Sequence, residues 1–84
     1  MAKHNGAEQG KVLGMVVKVL DHRDGTTTFD VVCHNSRGVV AHREKFLLPP
    51  KSPLRSSLAK GRRTFVRFLK TGKERDRPVE VLPQ

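Results

Sequence analysis

The segment Arg62–Lys70, RRTFVRFLK, interleaves four cations (Arg62, Arg63, Arg67 and Lys70) with two apolar pairs, Phe65-Val66 and Phe68-Leu69, behind a glycine at Gly61. Guanidinium and ammonium groups crowded along a strand-forming segment repel one another, and a polyanion turns that repulsion into attraction. Cations recur on both sides of it: Arg37, Arg43 and Lys45 before, Lys73, Arg75 and Arg77 after. Of 17 Lys and Arg, twelve fall within residues 43–77, where only three acids oppose them, in a chain of net charge +9. Charge gathered into one half of a small protein points to phosphate, and nucleic acid is its most economical source. The set Arg37, Arg43, Lys45, Arg62, Arg63, Arg67, Lys70, Lys73, Arg75 and Arg77 is expected to track a phosphate backbone.

Base stacking has fewer candidates. The chain has no Trp or Tyr and four Phe, most of which a small core needs. Phe46 and Phe68 are assigned to stacking, Phe65 to the core. His42, with His34 on a neighbouring strand, could add stacking or hydrogen bonds to bases. So few stacking groups imply recognition of backbone or shape rather than base sequence, and phosphate contacts do not separate RNA from single-stranded DNA.

Other chemistries find little support. Cys33 and His34 are strand neighbours that point to opposite faces, and adding His22 and His42 gives no Cys-x-x-Cys or His-x-x-x-His spacing, so no metal is expected. Ser57-Leu58-Ala59-Lys60 matches a Ser-x-x-Lys pattern, but the motifs that accompany it in hydrolases are missing. With no Gly-rich phosphate loop, Ser/His/Asp set or close carboxylate pair, the chain is read as neither an enzyme nor a cofactor binder. A single cysteine fits a reducing compartment, and no apolar run is long enough to span a bilayer. The expectation is a cytoplasmic, soluble protein with no membrane partner.

Eighty-four residues make one domain. Residues 1–10 read as a flexible N-terminal arm and 11–82 as a single folded unit. Lys11–Leu20 is dense in valine and reads as a curving strand, with Gly14 marking a bulge or a close backbone approach. Asp24-Gly25 signals a hairpin, Thr26–His34 alternates as a second strand, and Asn35–Gly38 is a second turn. Gly38–Arg43 gives a third strand that can run on to Leu48, stopped by Pro49, Pro50 and Pro53. A short helix is expected over Leu54–Lys60, with Leu54 and Leu58 on its buried side and Gly61 as its left-handed terminus. Arg62–Lys70 and Arg77–Leu82 complete five strands. The fold class is all-β: a small five-stranded barrel of the oligonucleotide-binding (OB) type with one short helix between strands three and four, an SH3-like barrel being the rival.

Gly14-Met15-Val16-Val17-Lys18-Val19-Leu20, Phe29-Asp30-Val31 and Val39-Val40-Ala41-His42 together resemble bacterial translation initiation factor 1 and its eukaryotic and archaeal counterpart, factor 1A. The resemblance covers roughly residues 14–70. It implies an OB-fold that binds RNA in translation initiation, with the ribosome as partner. A fainter likeness, in length, charge and barrel class, is to ribosomal proteins of the S17 type. Two functions are therefore expected in order: RNA (or single-stranded DNA) binding through a basic face, or a basic interaction module docking on an acidic surface of a polymerase, nuclease or similar machine.

Overall fold

The computed structural model describes residues 8–71 and 75–84. It is all-β: β1 (Glu8–Asp21), β2 (Thr27–His34), β3 (Val40–Leu48), one turn of 3-10 helix (Pro53–Ser57), β4 (Arg63–Lys70) and β5 (Arg77–Pro83). All ladders are antiparallel in one sheet ordered β3-β2-β1-β4-β5. Among the described residues no helix is long and apolar enough to cross a membrane.

The long first strand serves two partners. Its first half, Glu8 to Met15, pairs with β4, and Met15 onward pairs with β2. Gly14 sits at the handover, where a Cβ would lie 2.3 Å from the Val32 carbonyl oxygen. The close approach expected at Gly14 is therefore present, whereas the bulge falls further on, between Val16 and Lys18. β1 also begins earlier than expected: Glu8 lies opposite Lys70, so the last three residues of the anticipated arm belong to the sheet.

Both hairpins use one solution. His22 N–H donates to Thr26 O (2.8 Å) and Gly25 N–H to His22 O (3.0 Å). Asn35 N–H donates likewise to Val39 O (2.9 Å) and Gly38 N–H to Asn35 O (3.0 Å). Each three-residue loop ends on a glycine at positive φ, 92° and 79°, a conformation that a Cβ penalises.

Curvature brings the outer strands together. A parallel bridge joins Phe46 to Asp76, with Leu47 N–H on Asp76 O (2.9 Å) and Asp76 N–H on Lys45 O (3.1 Å). Inside lie Val12, Val16, Phe29, Val31, Phe46, Leu48, Val66, Phe68 and Val81. The Phe46 ring is 5.1 Å from Phe29 and 4.9 Å from Phe68 between centroids, so three of the four phenylalanines form one cluster.

The short helix is shorter than expected. Ser52 Oγ accepts the Leu54 N–H (3.2 Å), and the turn ends at Ser57. Leu58 is buried and Leu54 packs against the core, as their spacing suggests. The helix cannot continue to Lys60 because the chain must rejoin β1: Gly61 N–H donates to Val16 O (2.7 Å) and Val16 N–H to Arg62 O (3.0 Å). Gly61 has the expected positive φ, but in a turn closed by Arg62 N–H on Ala59 O (3.0 Å), not at a helix end.

Candidate nucleic-acid interface

Strand alternation sorts the candidate residues into two faces. On β2 the core takes Phe29 and Val31, leaving Thr28, Asp30, Val32 and His34 on the outward side. On β3 Phe46 and Leu48 point inward, which turns Arg43, Lys45 and Leu47 outward. The pairing Lys18–Asp30–Lys45 then runs straight across β1, β2 and β3, and Met15–Val32–Arg43 is the next row.

Asp30 organises this face. It is buried although it points away from the core. Arg43 covers it, donating from Nε (2.9 Å) and Nη2 (2.6 Å) to Oδ2, while Arg75 Nη1 approaches Oδ1 at 3.5 Å from the β4–β5 connection. A carboxylate shielded from water holds a guanidinium more tightly than an exposed one can, because both the field and the hydrogen bonds are less screened. Asp30 thus fixes Arg43 and draws Arg75 toward it, while Lys18 and Lys45 beside it form no ion pair among the described residues. One carboxylate facing four cations leaves the surface positive. It can meet phosphates through the lysines as point charges and through the guanidinium edges that Asp30 leaves free.

Arg75 and Arg77 flank the bridge at Asp76 and border a cleft of about 310 Å³ whose apolar lining includes Leu47 and Pro49. Three of the predicted cations, Arg43, Lys45 and Arg75, are therefore gathered about Asp30, with Arg77 next to them. Arg63 lies opposite Met15, at the far end of the row that begins with Arg43. Arg62 is exposed just ahead of β4, Lys70 at the end of β4, and Arg37 in the β2–β3 turn. Arg67 is spent differently: its Nε donates to Glu80 Oε1 at 3.0 Å on the β4–β5 side. Lys73 lies outside the described residues.

Four assignments change. Phe46 and Phe68 are core residues and out of reach of a base. Phe68 is inward because Thr64 and Val66 set the alternation of β4, and its ring fills the space beside Gly10, where a Cβ would come within 2.6 Å of it. The same alternation turns Phe65, expected in the core, to the outside. His42 pairs across strands with Cys33, not with His34, and lies on the opposite side of β3 from Arg43 and Lys45. Its Nε2 meets Glu44 Oε1 at 2.8 Å, so His42 does not join the cationic face.

Two residues of this face escaped the sequence reading. Lys18 was passed over because it lies outside the cation-rich stretch 43–77, and the bulge after Val16 places it on the same side as Asp30. Asp30 was not named because nothing local shows that Arg43 and Arg75, 13 and 45 residues along the chain, converge on it.

At the C-terminal end of β1, Arg55 Nε and Nη2 each donate at 2.9 Å to the Asp21 carboxylate, which also accepts from Thr27 Oγ1 (2.6 Å). Arg55 first and Thr27 second hold the Asp21 carboxyl far below the usual carboxylate range. This pair ties the 3-10 turn to the sheet. No cluster of three His, Cys, Asp or Glu side chains suited to a metal occurs among the described residues. Cys33 Sγ instead faces the Leu13 carbonyl oxygen at 3.1 Å. Comparison with known protein families, with curated proteins and with solved structures gives no match to this chain.

Proposed function

We propose that this chain binds single-stranded nucleic acid, RNA ahead of DNA, across the outward face of β1, β2 and β3, holding the phosphate backbone. The observation that carries this reading is the buried Asp30 with Arg43 fixed upon it, Arg75 drawn toward it and Lys18 and Lys45 on either side. Cations placed this way are held ready before a ligand arrives, which lowers the ordering cost of binding. Among the described residues no phenylalanine lies on this face and His34 is the stacking candidate it carries, so affinity comes mainly from phosphate and shape, and base preference is slight. The resemblance to initiation factors 1 and 1A makes RNA the first ligand and a ribosome-associated role in translation the first setting to examine.

Titration of single- and double-stranded RNA and DNA at two salt concentrations tests the reading. Four phosphate contacts on a single strand give a log–log salt slope of roughly −3, at about −0.7 for each. Binding that ignores salt, or no binding to any of the four, removes the proposal.

A further inference from the structure

A second surface adjoins the first across the row Arg43, Val32, Met15 and Arg63. On the outward side of β1, β4 and β5, Leu13, Phe65 and Leu82 lie in one cross-strand row. Leu13 is 46% and Leu82 44% exposed, with Phe65 half-buried between them. Their neighbours Val12, Val66 and Val81 already fill the core beneath, so the row is not needed for packing inside. Met15 and Arg63 form the row on one side, Lys11, Arg67 and Glu80 the row on the other. The result is an apolar strip with cations along both borders. Lys11 and Arg63 have no carboxylate partner among the described residues, whereas Arg67 is held by Glu80.

We infer that this face docks an acidic segment of another protein, one that sets apolar side chains between carboxylates. The composition of the strip argues against the other occupants. Leucine offers no π-face to a base, so a nucleic acid would stack on Phe65 alone and leave two leucines against phosphate and sugar. A second copy of this chain would bring Lys11 and Arg63 up against their own kind, in a molecule of net charge +9. An acidic segment gains on both counts: its apolar side chains cover Leu13, Phe65 and Leu82 while its carboxylates meet Lys11 and Arg63. Nothing in this inference depends on nucleic acid binding around Asp30.

The test uses the full chain, labelled for NMR, and a synthetic peptide alternating Glu with Leu and Phe. The expected result is shifts at the side chains of Leu13, Phe65 and Leu82. Affinity is expected to fall at least tenfold in Leu13→Ser/Leu82→Ser, with RNA binding intact. Lys11→Gln/Arg63→Gln supplies an independent variant that leaves the strip in place and is expected to weaken the peptide comparably. Equal binding of a control peptide with Ser at every Leu and Phe overturns the inference, since charge alone would then suffice. Self-association through Leu13 and Leu82, or single-stranded RNA shifting these side chains in place of the peptide, overturns it as well.

Discussion

Phe65 and Phe68 stand three residues apart on β4 and face opposite sides of the sheet, Phe68 stacked edge-on against Phe46 in the core and Phe65 outside between Leu13 and Leu82. Their contributions to stability should differ accordingly. Phe68→Ala empties a closed site and is expected to cost about 3–5 kcal/mol. Phe65→Ala removes a half-covered ring and is expected to cost about 1 kcal/mol. Urea unfolding of the two variants decides it, and equal losses would mean that the strip of Leu13, Phe65 and Leu82 belongs to the core.

The Asp30 carboxylate is the buried member of an otherwise exposed ionic cluster. Its removal in Asp30→Ala forfeits two charge-assisted bonds from Arg43, for an expected loss of about 1–3 kcal/mol. Arg43→Ala should cost less than the full value of a buried pair, because that guanidinium is nearly half exposed. Chemical denaturation of both variants gives the comparison. If Asp30→Ala is as stable as the wild type, the carboxylate does not hold the arginines in place.

Asp21 gives a pH signature. Its folded-state pKa lies below the unfolded value of about 3.8, with Arg55 the main cause and Thr27 the second. The carboxylate is thus the form that the fold favours, and its contribution is present above pH 4 and fades as pH falls through the lowered value. Asp21→Asn should melt below the wild type at neutral pH, and the gap should narrow under about pH 4 and close in strong acid. Thermal melts across that range read it directly. A gap independent of pH would assign the effect to lost hydrogen bonding and not to charge.

Much of the fold was legible because it rests on local signals. Asp24-Gly25 and Asn35–Gly38 are turns that glycine at positive φ makes cheap, and the prolines after Leu48 close β3. Leu54 and Leu58 show their buried spacing even though the helix lasts a single turn. Register was harder. RRTFVRFLK carries apolar residues at both parities, so alternation alone does not say whether Phe65 or Phe68 faces in; Thr64 below and Gly10 opposite decide it. The candidate site was legible as a composition and not as a place. Arg43, Lys45 and Arg75 were named for their charge, but their meeting at Asp30 is a product of the sheet curling until β3 reaches Asp76. Arg67 shows the converse, a cation in the expected stretch that the chain's own Glu80 engages.

The central claim is that the positive face built on Asp30 holds a nucleic acid backbone. Its most direct test is the affinity of the double variant Lys18→Gln/Lys45→Gln, which removes both charges without setting carboxylates beside Asp30, for single-stranded RNA at two salt concentrations. Neither lysine forms an ion pair among the described residues, so folding should be nearly unaffected and the melting temperature close to that of the wild type. The predicted result is a loss of binding of at least tenfold with a shallower salt slope. Wild-type affinity and slope in a folded double variant would contradict it and place any nucleic acid contact elsewhere on the molecule.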